Sequence, residues 1–249
     1  MAVTKEVTVA VAIKPLVKQK APHRVGRLLD EPEAYTIGWQ PFLGLKIYLD
    51  SHPLIPRPET EWWTEQLLAN LAVQPPLGGS TAKFKFLDLC AGSGAIGCAV
   101  LAKVPNARVY FGEIDQAHEA TILKNIRENN LDVSRSDIRI GDLFAPFGDM
   151  KFDVIAINPP YIPDERELPT SVADYEPGIA LRSGEDGLDL TRRIAGELPK
   201  HLKKDGVAWI ECDSAHASDA CALFTSQRLK ALIRTDQYDR PRVIVVSYK

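Results

Sequence analysis

The chain has 249 residues, 45% of them hydrophobic and 25% charged, an ordinary globular composition with enough length to bury a core without cross-links. Cys90, Cys98, Cys212 and Cys221 form no C-x-x-C pair, no apolar run approaches the roughly 18 residues of a membrane span, and no apolar stretch with a cleavage site opens the chain; these features argue against a zinc or disulfide framework, a bilayer anchor and a leader. The net charge of −3 is uneven: residues 1–29 set Lys5, Lys14, Lys18, Lys20, Arg24 and Arg27 against Glu6 alone, and the remaining 24 basic and 32 acidic residues leave a body at −8, a poor general nucleic-acid binder. A reducing, cytoplasmic setting is expected, with the basic arm either a solubilising tail or a contact for an RNA-rich partner such as a ribosomal complex.

In chain order, residues 1–29 show only a short alternation at Val7, Val9, Val11 and Ile13. Tyr35–Ile37 and Lys46–Leu49 predict a hairpin about Trp39–Gly44. Pro56 and Pro58 mark a loop, and Thr60 is placed to cap a helix carrying Trp63, Leu67, Leu68 and Leu71. Pro75–Ser80 reads as a linker-like turn. Strands then alternate with helices: strands at Phe84–Leu89, Arg108–Gly112, Asp137–Ile140, Phe152–Ile157, Val207–Cys212, near Leu232 and at Arg242–Ser247, and helices at Ala95–Lys103, Gln116–Asn129, Leu188–Leu202 and His216–Ser226. This alternation predicts an α/β fold, a mostly parallel sheet covered on both faces, with ligands bound beyond the carboxyl ends of its strands.

The first of these strands runs into Asp88-Leu89-Cys90-Ala91-Gly92-Ser93-Gly94-Ala95-Ile96-Gly97, a G-x-G-x-x-G between a strand and a helix. Glycines there let the backbone turn sharply and approach a ligand. The next strand ends at Glu113, whose carboxylate can accept from ribose hydroxyls, with Asp115 a competitor for that role. Both a dinucleotide and S-adenosylmethionine fit this pattern. A pyrophosphate wants a helix N-terminus free of acids, whereas Asp88 suits an ammonium, which favours adenosylmethionine. Gly141-Asp142-Leu143-Phe144, after the third strand, offers a carboxylate and an apolar wall for an adenine.

Strand Phe152–Ile157 ends in Asn158-Pro159-Pro160-Tyr161. The prolines present carbonyls without N–H groups and stiffen the residues before them. Asn158 adds an acceptor oxygen and Tyr161 a flat ring. This cluster suits a planar NH₂ group: two accepted N–H bonds let the nitrogen pyramidalise and aim its lone pair at a methylsulfonium carbon. No base is needed before transfer, because the proton leaves the cationic product.

Four blocks in one order carry a resemblance: Leu54-Ile55-Pro56-Arg57-Pro58-Glu59-Thr60-Glu61, Asp88–Gly94, Asn158–Ile162, and Tyr175-Glu176-Pro177 through to Asp186-Gly187-Leu188-Asp189. From about Tyr35 to its C-terminus the chain resembles the bacterial protein-(glutamine-N5) methyltransferases that modify class I peptide chain release factors. The resemblance implies a class I methyltransferase fold, a seven-stranded sheet with its last strand antiparallel. It implies S-adenosyl-L-methionine as donor, S-adenosyl-L-homocysteine as product, and the Gly-Gly-Gln loop glutamine of a release factor as acceptor. Catalytic residues would be Asn158, Pro159, Pro160 and Tyr161. Asp88, Ala91, Gly92, Gly94, Gly97, Glu113, Ile114, Asp142, Leu143 and Asn158 would hold the cofactor. Arg57, Glu59, Asn158, Pro159, Tyr161 and Glu176 would meet the substrate, unless Arg57 and Glu59 form an internal ion-pair clip and Glu176 merely organises its loop.

A basic arm and hairpin over 1–52, a catalytic domain over 53–249, no membrane contact and a monomer are expected. The sequence departs from the family at Cys90, at Asp213, at His216 (expected as a helix cap) and in a helical N-terminal domain reduced to residues 1–34. N-P-P-Y also occurs in nucleic-acid adenine N6-methyltransferases, the alternative reading, which the acidic body disfavours.

Overall fold

The computed structural model describes residues 30–73 and 84–249. The basic arm and the Pro75–Ser80 turn lie outside the described residues. Glu33–Ile37 forms one helical turn (α1), followed by the strands Trp39–Phe42 (β1) and Leu45–Tyr48 (β2) of an antiparallel hairpin. Tyr35–Ile37 is therefore helix, not strand. Pro32 opens this turn and Gly38, left-handed at φ 85°, closes it, while the buried Tyr35 hydroxyl donates to the Pro53 carbonyl at 2.6 Å. Pro58–Val73 is α2. It begins at the proline, a favoured first position. Thr60 thus sits inside the first turn and is not its cap.

Phe84–Leu89 (β3), Ala95–Lys103 (α3), Ala107–Glu113 (β4), Glu119–Glu128 (α4), Ser136–Ile140 (β5) and Phe152–Ile157 (β6) follow. The helix predicted from Gln116 begins instead with a tight turn, Gln116–His118, capped by Asp115, whose carboxylate accepts from Ala117 N at 2.9 Å. Then come Thr170–Ala173 (α5), Asp189–His201 (α6), Leu202–Glu211 (β7), Ala217–Ser226 (α7), Lys230–Thr235 (β8) and Pro241–Ser247 (β9). Strand β7 starts five residues before the predicted Val207, because Leu202 pairs with Phe152 across a register shift. His216 precedes α7, but its side chain makes no cap bond. The nearby cap is Asp213, which accepts from Ala215 N at 2.8 Å.

Seven strands lie in the order β5-β4-β3-β6-β7-β9-β8. The pairs from β5 to β7 are parallel and β9 is antiparallel to both neighbours, so the last strand of the chain runs against the others. Side chains alternate across each strand. Phe84, Phe86, Val154, Ala156 and Trp209 pack on one side with α2, α3, α4 and the hairpin's Phe42 and Ile47. Leu87, Leu89, Ile155, Ile157, Ala208 and Ile210 pack on the other with α6 and α7. Burial on both faces explains why these strands read as continuous apolar runs. The order reverses between β3 and β6, and the carboxyl ends of β3, β4, β6 and β7 meet there.

Candidate active site

The β3–α3 loop is built from left-handed residues: Cys90 at φ 60°, Gly92 at 54° and Gly94 at 77°. Gly97 has a different job. A Cβ there would stand 2.2 Å from the Phe111 ring, so only glycine lets α3 lie against β4. Asp88 shares the parity of Phe86 and is fully buried beneath α3. One carboxylate oxygen accepts from Gly97 N at 2.8 Å and the other has no partner among the described residues. Burial pushes its carboxyl up from the ordinary 3.8 to about 8. Burial also holds the Cys90 thiol protonated.

A cavity of about 350 Å³ opens beyond these strand ends, within the range of small-molecule sites, ~300–1,000 Å³. Of the ten residues predicted to hold a cofactor, Gly92, Glu113, Ile114, Asp142, Leu143 and Asn158 line it. Asp88, Ala91, Gly94 and Gly97 do not, and Asp88 holds the start of α3 by accepting from Gly97 N. Glu113, not Asp115, faces the cavity. Its carboxylate accepts from Gly92 N at 2.7 Å and from Ile114 N and Asp115 N at 2.9 Å. Three of its roughly four lone-pair positions are thus filled, one by the glycine loop and two by the backbone that follows β4, and one remains open. Asp142 pairs with Arg193 at 2.5 Å. His118, which sequence reasoning missed, also lines the cavity and bonds Ser51 Oγ through Nδ1 at 2.8 Å.

Asn158 and Pro160 line the cavity beside β6, and Pro159 between them is buried. The segment is pinned: Ile162 N donates to Leu181 O at 2.9 Å and Ser183 N to Ile162 O at 3.0 Å. The Asp186–Asp189 motif has a role here, since a Cβ on Gly187 would stand 2.4 Å from the Tyr161 carbonyl.

Behind Asn158 lies a buried carboxylate that the sequence did not flag. Glu211, at the end of β7, has the parity of Trp209 and so points toward α2. Its Oε2 accepts from Thr60 Oγ1 at 2.6 Å and Trp63 Nε1 at 2.7 Å, and its Oε1 from the Tyr161 hydroxyl at 2.9 Å. Asn158 Nδ2 donates in turn to Thr60 Oγ1 at 3.3 Å. Burial raises the Glu211 carboxyl above its ordinary range, against the pull of these three bonds. Burial and the adjacent Glu211 charge raise the Tyr161 phenol well above 10.

Arg57 and Glu59 do not pair with each other. Arg57 Nη2 donates to Glu176 at 2.5 Å, and Glu59 accepts from Arg240 at 2.8 Å. Glu176 is 5% exposed and also accepts from Ile55 N at 3.2 Å. It therefore ties the segment of Ile55 and Arg57 to its own loop, and the internal Arg57–Glu59 clip is not formed.

The family model described as Methyltransferase small domain matches residues 63–174. A release factor glutamine methyltransferase of Chlamydia trachomatis serovar L2 is 36% identical over 213 residues, covering 84% of this chain and 70% of that one. The chain belongs to the release factor glutamine methyltransferase family. A related protein, the ribosomal protein uL3 glutamine methyltransferase of Bradyrhizobium diazoefficiens, is 35% identical over 182 residues, 71% of this chain and 56% of that one. The crystal structure of a ribosomal protein L11 methylase from Lactobacillus delbrueckii subsp. bulgaricus superposes with a TM-score of 0.56 at 15% identity, covering 85% of this chain and 90% of that one. That likeness and the strand order establish the class I methyltransferase fold for this member of the family. Among the described residues no helix is long and apolar enough to cross a membrane.

Proposed function

We propose that this methyltransferase transfers a methyl group from S-adenosyl-L-methionine to the side-chain nitrogen of a protein glutamine, leaving S-adenosyl-L-homocysteine. The proposed acceptor is the Gly-Gly-Gln loop glutamine of a class I peptide chain release factor, which places the reaction in the cytoplasm. The observation that carries the reading is Asn158: its NH₂ is occupied by Thr60, which leaves its carbonyl oxygen to accept from a ligand amide in the cavity.

The cavity suits the donor. The open lone pair of Glu113 can accept from a ribose hydroxyl, Leu89, Leu143 and Ile114 offer apolar walls to a flat base, and the carboxylates of Asp142 and Asp189 suit amino groups. When bound, S-adenosylmethionine supplies a methyl group on a sulfonium sulfur. Asn158 Oδ1 and the Pro159 carbonyl accept the two N–H bonds of the glutamine amide, hold its nitrogen pyramidal and stabilise the charge that develops on it. After transfer that nitrogen releases one proton to water. The Glu211 bond to Tyr161 holds the ring that flanks the planar amide. The Arg57–Glu176 tie shapes the mouth that the protein substrate enters. Residues 53–249 form the catalytic part, and the arm and hairpin of 1–52 contribute to docking, the arm through basic contacts with an RNA-rich partner.

Incubating the chain with labelled S-adenosylmethionine and a purified release factor tests this. Label is expected on the factor and not on its Gly-Gly-Ala variant. Label on both would put the methyl elsewhere, and label on adenine of added nucleic acid would favour the alternative chemistry.

A further inference from the structure

We propose that Glu211, acting through Thr60, is a positioning residue that sets which way the Asn158 carboxamide faces, and so selects a donor-bearing amide over an acceptor-only group. This rests on the reading of Asn158 given above. A carboxamide has two faces of similar shape and opposite hydrogen-bond character. Nothing in the shape of the Asn158-Pro159-Pro160 turn itself prevents a flip, which would present N–H to an incoming NH₂ group and repel it.

The buried bonds around Glu211 remove the ambiguity. The Trp63 indole has only a proton to give, so Glu211 Oε2 is an acceptor. Thr60 Oγ1, 2.6 Å from the same oxygen, donates its single proton there. That hydroxyl then has only lone pairs left, and the Asn158 group 3.3 Å away must meet it with N–H. The direction runs from carboxylate to hydroxyl to carboxamide, and it leaves Oδ1 for the substrate. Thr60 is 3% exposed and Glu211 1%, so water does not substitute for either.

The test uses the full chain, labelled S-adenosylmethionine and a release factor as substrate. A release factor with glutamate in place of the target glutamine serves as competitor, since its carboxylate only accepts. Thr60→Val, which keeps the branched shape and removes the hydroxyl, is expected to lower kcat about 10- to 100-fold, less than the loss of a direct contact. Cofactor Kd is expected to stay within about twofold, because Thr60 lies outside the cavity lining. The freed carboxamide should bind the glutamate competitor about tenfold better relative to the glutamine factor. Thr60→Ser should restore both turnover and selectivity.

Glu211→Leu is the second variant, used with Thr60→Val so that one misfolded protein does not decide the matter. Without the carboxylate the Thr60 hydroxyl loses the acceptor that fixes its proton and is free to donate to Asn158 instead, so selectivity should shift the same way. Unchanged kcat and selectivity in both variants, or a Thr60→Ser variant as poor as Thr60→Val, would overturn the proposal. Asn158→Ala separates the two levels: full turnover in that variant sinks the reading of the site itself, whereas its loss beside a normal Thr60→Val sinks only the role of Glu211.

Discussion

Asn158 is where the chemistry and the geometry meet most closely. Asn158→Ala is expected to cost about 10²–10³ in kcat, the scale for one preorganised polar contact, with cofactor Kd nearly unchanged; a large rise in Kd by calorimetry would make the residue part of the cofactor cradle instead. Cys90 sits at φ 60°, where side chains other than glycine are strained. Cys90→Gly relieves about 1–2 kcal/mol of strain and gives back part of it as unfolded-state freedom. A modest rise in Tm is the expected outcome, and a fall would show that the packing of the side chain outweighs its backbone. Asp88 carries a pH dependence. Its folded pKa, about 8, lies above the ordinary 3.8, so its contribution to stability is full below about 3.8 and is lost as the pH rises towards 8. Asp88→Asn removes that loss. The Tm of the variant should gain on that of the parent between about pH 5 and about pH 8, and parallel melting curves would contradict the assignment.

At the scale of elements, strands with both faces buried announced themselves as apolar runs, and β3 and β6 match their predicted bounds. Other elements were hidden for physical reasons. The α1 turn is only five residues long and depends on its Pro32 and Gly38 boundaries. The start of β7 is masked by Lys203, Lys204 and Asp205, polar residues that suit a loop as well as a strand edge. The loops were legible as motifs but not as contacts: Gly97, read as part of a cofactor loop, makes room for Phe111, and Arg57 found Glu176, 119 residues away, rather than Glu59. That tie yields a prediction at this scale. Glu176→Ala leaves the Ile55 N–H and Arg57 without their shared acceptor, and loosening the mouth should raise KM for the protein substrate about tenfold with a smaller effect on kcat. Equal falls in kcat and kcat/KM would instead place Glu176 in the chemical step.

Across the whole molecule, one sheet gathers the glycine loop, Glu113, Asn158 and Glu211 at a single edge. The first three were legible because each closes an apolar strand with a recognisable group. Glu211 was not, because its meaning depends on α2, 148 to 151 residues earlier in the chain, being packed over β7. The hairpin belongs to the same core, through Phe42, Ile47 and Leu49. Deleting residues 1–29 should therefore leave kcat nearly intact and raise KM for the protein substrate, as expected of a docking arm; identical kinetics would make the arm a passive tail. The activity proposed for this edge is methylation of a glutamine side chain. Tandem mass spectrometry of a release factor after incubation with the chain and S-adenosylmethionine tests it most directly. A single methyl on the side-chain nitrogen of the Gly-Gly-Gln glutamine is the predicted result, and a methyl on any other residue would contradict it.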